Sequence, residues 1–149
     1  MEKKVGKQME KFEFDGKLYA IVIRNDYSKD GLEFFTPDDY SQQLAYMKHS
    51  KGKKIDAHVH NVVKREVLYT KEVLIIKKGK LRVDFYRDDK SYIQSCIVQD
   101  GDIILLAEGG HGFECLEEVE MVEVKQGPYL GDKDKVRFTG IDSSEVKLA

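Results

Sequence analysis

From Glu72 onward the chain is cut into short apolar runs, EVLIIKK, KLRVDFY, SYIQSCIVQ, DIILL, HGFECL and VEMVEVK, divided by the turns KKGK, RDDK, QDGD, EGG and LEE. Each run is rich in Val, Ile, Tyr and Phe and too short for a helical period, so each predicts a strand. Upstream, Phe12 to Arg24 reads as a hairpin, because Asp15-Gly16 supplies the positive φ angles of a two-residue turn. The segment FFTPDDY breaks the pattern at Pro37, and QQLAYMKH and KIDAHVH resume it. So many short antiparallel strands in 149 residues must stack or close on themselves to protect their edges, which predicts an all-β sandwich or barrel with few or no helices. The final stretch from Gly127 has weak periodicity and is expected to be a covering loop and a loosely held tail.

Length and charge narrow the class of partner. One domain of 1–149 is the default at this size. With 25 basic and 27 acidic residues well mixed, no long-range field draws the chain to nucleic acid or an anionic membrane. The lysine-rich start lacks the apolar stretch of a signal peptide, and no window approaches the roughly 18 apolar residues of a membrane span. A cytoplasmic protein with a small-molecule ligand is the expectation. Cys96 and Cys115 have no paired C-x-x-C spacing, so both are expected to be reduced, buried thiols.

The histidines are the chemically pointed feature. In IDAHVH, alternation puts Ile55, Ala57 and Val59 on one face of a strand and Asp56, His58 and His60 on the other. Two imidazoles at this spacing can reach one ion, although an exposed strand whose histidines meet only water has the same sequence. Glu72 opens an apolar strand, where a carboxylate is costly to bury without a cation, and His111 follows the flexible turn Glu108-Gly109-Gly110. His49, within KHSKGKK, is placed on the surface.

Gly52, five residues, His58-Val59-His60, then Glu72, six residues and Gly79 resemble the first motif of the cupin superfamily. Eleven residues separate His60 from Glu72, more than the family's gap, which leaves Glu66 as a rival carboxylate. Gly101, DIILL, Ala107-Glu108-Gly109 and His111 resemble the second motif, without its proline, one residue short before the histidine, and with Cys115 where the family has asparagine. The resemblance covers about 42–126, flanked by an N-terminal hairpin and turn in 1–41 and a C-terminal loop and tail in 127–149.

This resemblance implies an antiparallel jelly-roll barrel holding one divalent metal on His58, His60, Glu72 and His111. Iron, manganese, nickel, cobalt and zinc all suit such a donor set. It implies an enzyme on a small polar metabolite, a sugar phosphate or nucleotide sugar, of isomerase or epimerase type. A non-catalytic metal-stabilised binding domain and an Fe(II) dioxygenase are the alternatives, and a homodimer is a common family arrangement. Glu66, Tyr69, Glu108 and Lys125 are the candidate acids and bases. Arg65, Lys125 and Tyr129 are the candidate substrate contacts, with Lys64, Gln126, Lys135 and Arg137 nearby in sequence, although such polar runs are more often solvated loop. Tyr46, Phe85 and Phe113 either line a pocket or pack in the core, the latter expected for at least two of them.

Overall fold

The computed structural model describes residues 8–149; the lysine-rich start, read above as lacking a leader, lies largely outside the described residues. The chain divides into two compact units, Ser28–Tyr69 and the remainder. In the larger unit, β1 (Met9–Phe14) and β2 (Lys17–Ile23) form the expected hairpin. Asp15 and Gly16 adopt φ of 53° and 76°, as a tight turn requires. Then follow β5 (Glu72–Lys78), β6 (Lys80–Tyr86), β7 (Tyr92–Gln99), β8 (Ile103–Leu106), β9 (Gly110–Cys115) and β10 (Glu120–Lys125). The smaller unit contains β3 (Gly31–Phe34) paired with β4 (Ala45–Lys48), joined through a turn in which the Tyr40 N–H donates to the Pro37 carbonyl.

The strands of the larger unit form a five-stranded antiparallel sheet, β1-β2-β8-β5-β10, and a three-stranded one, β7-β6-β9. One apolar core joins them, with Ala20, Val22, Leu74, Ile76, Ile104 and Leu106 from the first sheet and Leu81, Val83, Phe85, Cys96 and Val98 from the second. The fold is all-β, as expected; neither sheet closes into a barrel, because β1 and β10 end one and β7 and β9 the other. Gly79 makes the β5–β6 turn possible: its φ is 97°, and an added Cβ would strike the Glu118 carbonyl.

Two local expectations change. The HVH segment is not a strand: between 54 and 69 the backbone belongs to no sheet and every residue is exposed. Alternation makes a segment able to pair, but a strand exists only where a partner edge supplies its hydrogen bonds. The C-terminal segment is an irregular, largely exposed loop as expected, but it is fixed to the larger unit at several points. Phe138 packs edge-on to Tyr86, whose hydroxyl accepts the Ile141 N–H, and the Tyr92 hydroxyl accepts the Lys147 N–H. The Ser95 N–H donates to Lys147 and the Ala149 N–H to Ser95, making a short parallel bridge on edge strand β7. On β6, the Arg82 guanidinium is buried and grips Asp84 with two hydrogen bonds, and Ser95 donates to the same carboxylate.

Among the described residues no helix is long and apolar enough to cross a membrane.

Candidate functional site

Strand register brings the working groups together. On β5, Glu72 shares its face with the core residues Leu74 and Ile76. On β10, Met121, Glu123 and Lys125 are the partners of Ile76, Leu74 and Glu72, so they point to that same inner face. On β9, His111 and Phe113 pair with the core residues Phe85 and Val83 and also face inward. Yet Met121 and Phe113 remain 40% and 41% exposed, which shows that the space between the sheets is open along β9 and β10. The resulting cleft carries Glu72, His111, Phe113, Met121, Glu123 and Lys125 on the facing sides of the two sheets.

At its centre, Nε2 of His111 lies 3.0 Å from Oε1 of Glu72, whose side chain is only 14% exposed. Lys125 Nζ is 4.0 Å from the other carboxylate oxygen of Glu72 and 3.6 Å from Glu123. The hydrogen bond from His111 is the main reason that the Glu72 carboxyl falls to about 2, against the opposing effect of burial; bonding to Glu123 and the charge of Lys125 add to the fall. Glu123 moves the opposite way: its hydrogen bond with the Glu72 carboxylate, followed by desolvation, raises it. The His111 ring lies 5.3 Å from that of Phe113, tilted by 37°, which gives the imidazole an aromatic neighbour on the cleft side.

The other expected site residues are placed differently. His58 and His60 belong to the smaller unit, both exposed, with ring centroids 5.3 Å apart. His58 Nδ1 lies 2.8 Å from the Asp56 carbonyl, so Nδ1–H donates there and the lone pair of the neutral ring falls on Nε2. Arg65, Glu66 and Tyr69 are exposed in the same unit, as is His49. Glu108 is exposed in the β8–β9 turn of the larger unit. Tyr129 is exposed and lines a polar surface hollow with Lys125, Gln126, Lys135 and Arg137. Asp132 in that hollow takes Arg137, at 2.7 Å. Within neither unit, among the described residues, do three His, Cys, Asp or Glu side chains form a group able to hold a metal.

Phe85 is core and Phe113 is at the cleft. Cys96 is buried, and burial pushes its thiol up to about 12. Cys115 is exposed and not buried as expected: it ends β9, an edge strand whose last three residues are all exposed. Glu123, beside Glu72 and Lys125, is a candidate that sequence reasoning missed. The signal was present in EMVEVK, where period-two alternation ties Glu123 to the face of Lys125. No protein-family model, curated protein or solved structure matches the chain.

Proposed function

We propose that the chain is an enzyme that moves a proton on a small polar metabolite, of the sugar-phosphate or nucleotide-sugar class, with His111 as base and Glu72 as its orienting partner. The observation that carries this is the 3.0 Å contact between His111 Nε2 and the half-buried Glu72 carboxylate in the open cleft. A proton held on Nε2 leaves the lone pair of the neutral ring on Nδ1, where it can accept a proton from carbon next to a carbonyl. The carboxylate fixes the tautomer and stabilises the imidazolium that forms. Lys125 supplies a cation beside the pair for the oxyanion that develops, and return of the proton to a neighbouring carbon or the opposite face gives isomerisation or epimerisation. The test is solvent deuterium incorporation into a panel of sugar phosphates and nucleotide sugars, followed by NMR. Incorporation by the native chain and its loss in His111→Asn are expected; no incorporation across the panel overturns the reading.

A second reading, drawn from the resemblance to the cupins, places a divalent metal on the Glu72–His111 pair, which supplies two donors of the set. Two ligands in adjacent positions on an ion held at about 2.0–2.2 Å lie about 3 Å apart, the separation between the Glu72 and His111 donor atoms. His58 has Nε2 free of its internal hydrogen bond, the arrangement that prepares an imidazole for ligation, with His60 beside it. When bound, the metal would supply Lewis-acid polarisation of a substrate oxygen. Elemental analysis of protein purified without added metal is the check. A stoichiometric divalent ion lost in both His111→Ala and His58→Ala supports this reading; metal at background level sinks it.

A further inference from the structure

We propose that the hollow following β10 is a sugar subsite, which takes a neutral polyhydroxylated ring against Tyr129, with Asp132, Asp134, Lys135 and Arg137 around its hydroxyls. The hollow lies wholly within the larger unit and encloses about 360 Å³, its open mouth included, near the lower bound of small-molecule sites. Its walls are fixed at two points to the residues that precede β5. The Gln126 carboxamide oxygen accepts the Lys71 N–H at 3.0 Å, and the Thr70 hydroxyl donates to one oxygen of Asp134. Between these points the short turn Gly131–Asp134 is closed by the Lys133 N–H on the Leu130 carbonyl. Tyr129 is 88% exposed, and among the described residues neither its hydroxyl nor Lys135 Nζ has a hydrogen-bond or ion-pair partner.

Charge decides between a sugar and a phosphate. The hollow has three cations, Lys125, Lys135 and Arg137, and two carboxylates, Asp132 and Asp134. Arg137 is taken by Asp132 at 2.7 Å, and Lys125 stands 3.6 Å from Glu123 and 4.0 Å from Glu72, so only Lys135 is left to offset Asp134. A phosphate group would meet no uncompensated cation and two carboxylates that repel it. A hydroxyl donates one hydrogen bond and accepts two, so a ring of hydroxyls uses carboxylates and cations alike without adding charge. The Arg137–Asp132 pair is exposed, and such pairs are weak enough to open around a hydroxyl. The Tyr129 ring supplies a flat apolar face on which the C–H side of a sugar can lie. Lys125 belongs to the hollow and to the cleft at once, and the other oxygen of Glu72 is the one that holds His111 at 3.0 Å. One metabolite can therefore lie across Lys125 with its neutral ring in the hollow and its reacting carbon at His111; that consequence alone rests on the proton-transfer reading above.

The experiment is an amide NMR titration of the full chain with methyl α-D-glucopyranoside and methyl β-D-ribofuranoside, and separately with inorganic phosphate. Saturable shifts at 125–137 are expected with at least one glycoside at tens of millimolar, and none there with phosphate. Tyr129→Ala, at an exposed position, should weaken glycoside binding about tenfold while the amide pattern of the strands is unchanged. Asp132→Asn should also weaken it, and should admit phosphate by releasing Arg137. The inference is overturned by the lack of a saturable shift with either glycoside, by phosphate binding at 125–137 in the native chain, or by glycoside binding that Tyr129→Ala leaves intact. Glycoside seated there without deuterium incorporation by the chain keeps the site and removes the proton-transfer reading. Incorporation with no glycoside in the hollow does the reverse, so the two fail separately.

Discussion

Replacing Glu72 by Gln keeps the shape of the side chain and removes the charge that the cleft is arranged around. The carboxyl lies at about 2 instead of 4.5, chiefly through the hydrogen bond from His111. At about 1.36 kcal/mol per tenfold change in acidity, the depression corresponds to about 3 kcal/mol at neutral pH. Because the folded value is below the unfolded one, this stabilisation is complete above the unfolded value and is lost as pH falls toward the folded one. Part of it is offset by Glu123, whose carboxyl is raised by its bond to Glu72 and is relieved when that charge is removed. The net loss expected for Glu72→Gln is therefore about 1–3 kcal/mol at pH 7, narrowing by about 1–2 kcal/mol between pH 6 and pH 3. Guanidinium unfolding followed by tyrosine fluorescence and far-ultraviolet circular dichroism, with chelator present, measures both numbers. A gap between native and variant that is the same at pH 6 and pH 3 would refute the assignment of Glu72 as the depressed, His111-paired carboxylate.

Other perturbations probe the frame around the cleft. Arg82→Met leaves the buried Asp84 carboxylate without its guanidinium and should cost about 3–5 kcal/mol in the same unfolding assay; a cost under 1 kcal/mol would mean that Asp84 finds another counter-charge. Gly79→Ala forces a side chain into positive φ and against the Glu118 carbonyl, so a loss above about 2 kcal/mol is expected, and a neutral result would show that the β5–β6 turn is built otherwise. Alkylation of the native protein should label Cys115 and spare Cys96, as peptide mass spectrometry would read; labelling of both at equal rate would contradict the burial of Cys96. Tyr92→Phe removes the hydroxyl linking Ser95 to the Lys147 N–H and should lower stability by about 1 kcal/mol while speeding hydrogen exchange at Lys147.

Most of the strand framework was legible because its signals are local. Asp15-Gly16 and Gly79 mark turns by backbone chemistry, and the run from Glu72 to Lys125 alternates clearly enough to divide into strands. The inward set of Glu72, His111 and Lys125 was half legible: spacing singled out Glu72 and His111, but only register shows that Lys125 and Glu123 join them. The HVH segment carries a strand's alternation without a strand's partner, a fact about another edge that no window of sequence contains. The anchoring contacts of the C-terminal loop were missed for the converse reason. Its anchorage is by backbone N–H groups on Tyr86, Tyr92 and Ser95, and hydrogen bonds to main chain leave no apolar period.

That anchorage bears on the order in which the molecule can be completed during synthesis. The ion pair of Arg82 and Asp84 is made in the middle of the chain, and Ser95, which donates to Asp84, also takes Lys147 and Ala149 on its backbone. A nascent chain that has emerged through β10 therefore holds every strand of both sheets of the larger unit and still lacks the final neighbours of its buried charges. The contacts that residues 138–149 make with Tyr86, Tyr92 and Ser95 can therefore form only after all the strands of both sheets have been made.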